Sequence, residues 1–282
     1  MIKKLLATLA LSFTCALPAV AASGADITRA PDRLNDMAAL QNGAKLFVNY
    51  CLSCHSAQSL RYNKLTEIGL SQEEIENNLL FTSDKIGDVM EIAMTPQDAE
   101  KWFGTNPPDL SVIARSRSQT MGPSGVDYVY SFLRGFYRDA TKPTGWDNTV
   151  FPSVGMPHVL WDLQGERTLS RTTIKQEDQE DGSKAWVRTD ASFDEQGFSN
   201  IESSVLDDYN ADPVDTIKFS QADSSQAAAY DSDMADLANF LGWMAEPNQL
   251  FRKKLGIWVL LFLGLFLLVA VRLNAAYWKD VK

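Results

Sequence analysis

Apolar positions recur at helical spacing through the first half of the chain. Within residues 32–50, Leu40, Ala44 and Phe47 fall on one stripe, which predicts a helix. Ser71-Gln72-Glu73-Glu74 is a capping box that opens a short helix. Thr95-Pro96 sets a cap and an N1 proline before the next helix, and Gly104 ends it. Further helices are predicted over 109–117, 126–136 and 234–245, the last running into Glu246-Pro247. Alternating strand patterns are sparse. The expected fold class is therefore mainly α.

Two apolar runs differ from this amphipathic pattern. Residues 5–20 follow Lys3 and Lys4 and run into Ala19-Val20-Ala21-Ala22, the arrangement of a secretory signal peptide over 1–22. Its removal takes away Cys15 and leaves Cys51 and Cys54. Residues 255–271, LGIWVLLFLGLFLLVAV, carry no charge. At ~1.5 Å per residue these 17 residues span about 26 Å, close to the ~30 Å hydrocarbon core of a bilayer. Trp258, Tyr277 and Trp278 suit the two interfaces. Flanking charges are balanced, so the signal peptide sets the orientation: the body is exported and 272–282 is a cytoplasmic tail. Residues 23–250 form the exported domain.

Charge changes the picture only in one place. The chain has 282 residues and a net charge of −10, which argues against nucleic acid as a partner. Segment 162–236 holds 18 acidic and 6 basic residues. Its Asp, Ser, Gly and Gln content reads as an acidic, loop-rich insertion with room for a small hairpin. Two readings stand side by side: a solvated, partly flexible insertion, and an acidic docking face for a basic soluble partner.

Cys51-Leu52-Ser53-Cys54-His55 is a C-x-x-C-H, the attachment motif of a c-type haem. Thiols one turn apart reach the two vinyl groups of a porphyrin edge, and His55 then lies under the iron as axial ligand. Covalent attachment prevents haem loss in an exported protein. A thioredoxin-like dithiol would need the pair to open a helix in a βαβ setting. Zinc would need His158 to join Cys51, Cys54 and His55 from far along the chain. For the sixth iron position, methionine raises the reduction potential. Met156, in Phe151-Pro152-Ser153-Val154-Gly155-Met156-Pro157, is the favoured candidate, because proline and glycine suit a rigid extended loop. His158 is the runner-up; its plainer reading is a surface or propionate-contacting histidine. Met37, Met90, Met94, Met121, Met234 and Met244 read as core fillers. Propionates want counter-charges, and Arg115 and Arg117 are available.

These blocks, in order, resemble the cytochrome c1 family, the haem subunit of ubiquinol–cytochrome c oxidoreductase (the cytochrome bc1 complex). GAKLFVNYCLSCHS at 43–56 is similar to its haem-attachment helix. NPPDLSVIARSR at 106–117, DYVYSFLRGFY at 127–137, VFPSVGMP at 150–157 and FLGWMAEPNQLFRKKLG at 240–256 resemble further family segments. The family often has Met-Pro-Pro or Met-Ala-Pro-Pro where this chain has Met156-Pro157-His158.

The resemblance implies a cytochrome c-type domain with one haem c bonded to Cys51 and Cys54. His55 and Met156 would ligate iron, and Arg115 would contact a propionate. It also implies that Gly43 and Phe47 lie where a first helix crosses a last helix near Phe240 and Trp243. The implied role is one-electron transfer from a Rieske iron–sulfur protein to a soluble or tethered cytochrome c, with no catalytic acid, base or nucleophile. The partners are cytochrome b, the Rieske subunit and membrane lipid, in a dimeric complex of the bacterial inner membrane with the haem domain in the periplasm. Two alternatives share the motif: a stand-alone membrane-tethered cytochrome c serving a terminal oxidase, and a haem gas sensor in which Met156 is displaced.

Overall fold

The computed structural model describes residues 27–179 and 183–280. The expected signal segment, 1–22, lies outside them. In chain order the elements begin with α1 (Met37–Leu46), a π-turn (Phe47–Cys51), β1 (Ala57–Arg61), a 3-10 turn (Tyr62–Ile68), α2 (Gln72–Asn78) and β2 (Val89–Met90). Then come α3 (Pro96–Phe103), α4 (Ile113–Ser116), α5 (Gly125–Arg134), β3 (Phe136–Arg138), β4 (Trp146–Asn148) and α6 (Trp161–Gln164). Four strands follow: β5 (Thr168–Asp178), β6 (Lys184–Phe193), β7 (Ser199–Leu206) and β8 (Val214–Ser220). Helices α7 (Ser224–Ala245) and α8 (Gln249–Tyr277) complete the chain.

The caps read from the sequence are present. The Ser71 and Glu74 side chains exchange hydrogen bonds with each other's backbone at the start of α2. Thr95 caps α3, with Pro96 in its first turn and Gly104 left-handed at its end. The helix expected over 109–117 is only the single turn α4; residues 106–110 have no regular structure and 111–112 form a turn. In contrast, α7 begins ten residues before the expected start at 234, with Asp223 Oδ1 accepting from the amides of Ser225 (2.9 Å) and Gln226 (3.0 Å).

The chain forms two units interleaved in sequence. One contains 32–94, 108–116 and 236–280. Here Leu40, Ala44 and Phe47 are buried together as expected, with Leu65, Ile68, Ile75 and Met90. β1 pairs antiparallel with the two-residue β2. Phe47 meets Phe240 with ring centroids 5.8 Å apart, and Phe240 stacks on Trp243. A buried polar knot lies beside them: Asp236 accepts from Arg33 Nη1 at 2.5 Å and Asn42 Nδ2 at 2.9 Å.

The unit also carries α8, whose apolar side chains are exposed. It is the one helix among the described residues long and apolar enough to cross a membrane, and an 18-residue stretch of it has mean hydropathy 2.5. It encloses the apolar run 255–271.

The other unit contains 27–31, 95–107 and the described residues of 117–235. α5 leads into the hairpin β3–β4, in which Phe136 faces Asn148 and Arg138 faces Trp146. Beyond it lies the departure from a mainly α fold. The segment expected to be loop-rich is an antiparallel sheet in the order β7-β6-β5-β8. Its register sets Leu169 opposite both Phe193 and Phe219. Thr172 donates to Asp190 at 2.6 Å, and Arg171 pairs with Asp215 at 2.7 Å across neighbouring strands. Polar cross-strand pairs thus stabilise a sheet whose strands lack an alternating apolar pattern. The fold comprises a helical unit that carries the Cys-x-x-Cys-His motif and a mixed α and β unit, and is not mainly α throughout.

Candidate functional site

The Cys-x-x-Cys-His segment follows a helix that widens as it ends. Leu52 N–H reaches back five residues to the Phe47 carbonyl at 3.0 Å, the signature of a π-turn. The Cys51 carbonyl then accepts from Cys54 N–H at 3.1 Å and His55 N–H at 2.8 Å. The two cysteines and His55 therefore belong to one tight turn. The Cys51 side chain is buried, and burial together with the neighbouring Cys54 pushes its thiol up to about 12. A redox-active dithiol wants the opposite, a lowered thiol pKa at a helix N-terminus. Nor does zinc find a site: among the described residues no group of three or more His, Cys, Asp or Glu is placed to hold a metal ion.

His55 is oriented from outside its own turn. Its Nδ1–H donates to the Pro108 carbonyl at 2.8 Å. Around this contact the 56–59 segment is stitched to Pro108-Asp109-Leu110-Ser111. Leu110 N–H donates to the Ser56 carbonyl at 2.8 Å, and Gln58 N–H donates to Asp109 Oδ2 at 2.9 Å. Ser59 N–H donates to Ser111 Oγ at 3.0 Å, while Asp109 Oδ1 holds Ser111 N–H at 2.8 Å. Burial lowers the His55 pKa below its ordinary value, partly offset by the Pro108 carbonyl and the Asp109 charge. A neutral ring that donates through Nδ1 presents its lone pair on Nε2. Sequence reading found the Pro-Pro-Asp-Leu-Ser block only as a family likeness. Its physical role, holding the histidine, depends on contacts more than 50 residues apart in the chain.

Two adjacent thiols and an imidazole with a free Nε2 fit a c-type haem, which is bonded through cysteine sulfurs and ligated by histidine. Residues Cys51, Cys54 and His55 would hold it. Arg115 belongs to the same unit, on α4, where it is exposed and its charge acts on Glu246. Arg117 lies with its guanidinium 5.2 Å from the Tyr128 ring centroid.

Met156 belongs to the other unit, half-buried in the loop between β4 and α6. Two residues on, His158 is 2% exposed, not a surface residue. It stacks on Phe136 with centroids 4.5 Å apart and planes 11° apart, and meets Trp146 edge-on at 4.8 Å. Its polar neighbour is the Gln164 side chain, and burial pushes its pKa down to about 3. Met90, Met234 and Met244 are buried as core fillers, whereas Met37 and Met121 are exposed.

Comparison with known proteins identifies the family. The Cytochrome C1 family model matches residues 30–184 and 209–281. The chain is 39% identical to cytochrome c1 of Allochromatium vinosum over 280 residues, 99% of each chain. It is 37% identical to the ammonia monooxygenase gamma subunit of Nitrosomonas europaea, over 90% of this chain and 88% of that one. It is also 28% identical to cytochrome c1 of Rhodospirillum rubrum, over 88% of this chain and 83% of the other. A matched family model across most of the chain, a near full-length relative and a hydrogen-bonded histidine beside two thiols lead to one conclusion: the chain belongs to the cytochrome c1 family, which carries a covalently attached c-type haem.

Proposed function

We propose that Cys51 and Cys54 would bind the haem covalently, that His55 and Met156 would ligate its iron, and that Arg115 would be the counter-charge to a propionate. As a member of the cytochrome c1 family, the chain is a haem electron carrier of the cytochrome bc1 complex, which implies cytochrome b and a Rieske protein as fellow subunits. In the proposal it accepts one electron from the Rieske protein and passes it to a soluble or tethered cytochrome c. The complex is dimeric and lies in a bacterial inner membrane, with α8 as anchor and the haem domain in the periplasm.

The observation that carries the ligand assignment is the His55 Nδ1–H···O=C bond to Pro108, 2.8 Å long. It fixes the ring tautomer before any ligand arrives and removes one source of reorganisation during electron transfer. The bound haem supplies the one-electron iron couple; the residues supply fixed ligation and orientation. A thioether as sixth ligand keeps the potential high.

The test is a redox titration of the detergent-purified, haem-loaded protein, followed by carbon monoxide addition to the reduced form. A high potential without carbon monoxide binding is expected. Met156→Leu should lower the potential and admit carbon monoxide. If Met156→Leu changes neither, Met156 is not the sixth ligand. Prompt binding by the unaltered protein would favour a gas sensor instead.

A further inference from the structure

The loop that carries Met156 is fastened at both ends to one hairpin. At its start, Asp147 is 4% exposed, and its Oδ1 accepts backbone N–H groups from Asn148 (2.8 Å), Ser153 (2.6 Å) and Val154 (3.3 Å). Its Oδ2 pairs with Lys142 Nζ at 3.0 Å, and the same ammonium donates to Ser153 Oγ at 3.2 Å. Asn148 adds a second hub: its Oδ1 accepts from Val150 and Phe151 N–H, and its Nδ2 donates to the Phe132 carbonyl. Ser153 is held at φ 59°, the one non-glycine with positive φ among the described residues. A serine pays for that conformation only where its surroundings over-determine it.

At the far end, the His158 ring is gripped by Phe136 of β3 and Trp146 of β4, with Tyr230 edge-on at 6.4 Å. Beyond the Gln164 side chain its nitrogens have no hydrogen-bond partner, and three rings surround it, so it acts chiefly by shape and stacking. Met156 sits between the two fastenings, two residues from His158 and two from Val154.

We infer that Asp147 and His158 are positioning residues for the sixth haem ligand, a two-point clamp that fixes the Met156 thioether by tying its loop to β3 and β4. This rests on the reading of Met156 as an iron ligand. A buried carboxylate with three amide donors and one ammonium is a stiff anchor, since releasing it leaves charge and donors unpaired. A clamped thioether competes well against water and gases for the sixth position. A loosened one leaves it open for part of the time, which lowers the potential and admits carbon monoxide.

The experiment uses the full haem-loaded chain in detergent. It follows the far-red sulfur-to-iron charge-transfer band of the oxidised protein, the potential, and carbon monoxide affinity of the reduced form. Asp147→Ala is expected to weaken the band and to raise carbon monoxide affinity about tenfold, equivalent to ~1.4 kcal/mol. Asp147→Asn, which keeps the Oδ1 acceptor, should recover most of the band. His158→Ala should act like Asp147→Ala, and His158→Phe should restore the band relative to the alanine variant. Met156→Leu serves as reference. If it abolishes the band while Asp147→Ala and His158→Ala leave band, potential and affinity at wild-type values, the clamp is overturned and the ligand reading stands. If Met156→Leu itself retains the band, the ligand reading fails and the clamp with it. Should Asp147→Ala not fold, Lys142→Gln removes two tethers from a half-buried position. The band should then fade at a lower temperature than in wild type, and unchanged thermal loss would overturn the proposal.

Discussion

Gly43 and Phe240 touch backbone to side chain where α1 meets the end of α7. A Cβ placed on Gly43 would lie 2.5 Å from Phe240 Cβ and would also press on the Asp236 carbonyl. Backbone cannot yield as a flexible side chain would. Gly43→Ala is therefore expected to destabilise the protein by about 1–3 kcal/mol through overpacking. Thermal unfolding followed by far-UV circular dichroism checks this. A melting temperature equal to wild type would mean that the two helices separate at no cost.

Asp109 holds the segment that positions His55. Asp109→Ala removes the acceptor for Gln58 N–H and Ser111 N–H. The Pro108 carbonyl then loses its fixed place against Nδ1, and the imidazole donates less electron density to iron. Ferric iron is less stabilised, so the potential should rise, with a stability loss of about 1–3 kcal/mol for the unpaired amides. A redox titration reads the first effect. A potential that falls, or does not move, contradicts the role given to this contact.

Two tyrosines of the mixed unit set its alkaline limit. Burial pushes Tyr137 up to about 12, helped by the charges of Asp147 and Asp139, and burial raises Tyr230 as well. In an unfolded chain tyrosine loses its proton near its ordinary value of 10. Between these values the folded state binds more protons, so stability falls as pH rises from about 10 to about 12. Tyr137→Phe should make this decline shallower. Denaturant midpoints measured across that range test it, and parallel curves for the two proteins would exclude Tyr137 as a contributor.

If the acidic sheet unit docks a basic cytochrome, its exposed charge governs the encounter. Asp207, Asp208 and Asp212 are exposed in the turn between β7 and β8. Replacing all three by asparagine should slow electron transfer to a basic cytochrome c at low salt and flatten its decline with ionic strength, where screening acts over ~10 Å at 0.1 M. Stopped-flow rates at several salt concentrations decide it. An unchanged slope removes this turn from the docking surface.

Much of the helical part was legible because its signals are local. The Ser71 and Thr95 caps, Gly104 and the stripe of Leu40, Ala44 and Phe47 each need only a few neighbouring residues, and all appear in the structure. The sheet was not legible. Thr, Ser, Asp and Lys occupy both faces of β5 and β6, so no period-two apolar pattern marks them. Their stabilisation comes from partners such as Asp190 and Asp215, well away along the chain from Thr172 and Arg171.

By itself the sequence determined the chemistry. Cys51, Cys54 and His55 are adjacent in the chain, so covalent spacing alone brings two thiols and an imidazole to one turn. It also determined the candidate anchor, since 17 uncharged apolar residues need no fold to be recognised. Only the tertiary structure decided how these groups are held. The Pro108 carbonyl that orients His55, the Asp147 hub beneath the Met156 loop and the Phe136–Trp146 grip on His158 join residues from separate elements. Such contacts depend on which backbone atoms the folded chain brings within hydrogen-bonding or stacking distance, and no local pattern of residue types records that.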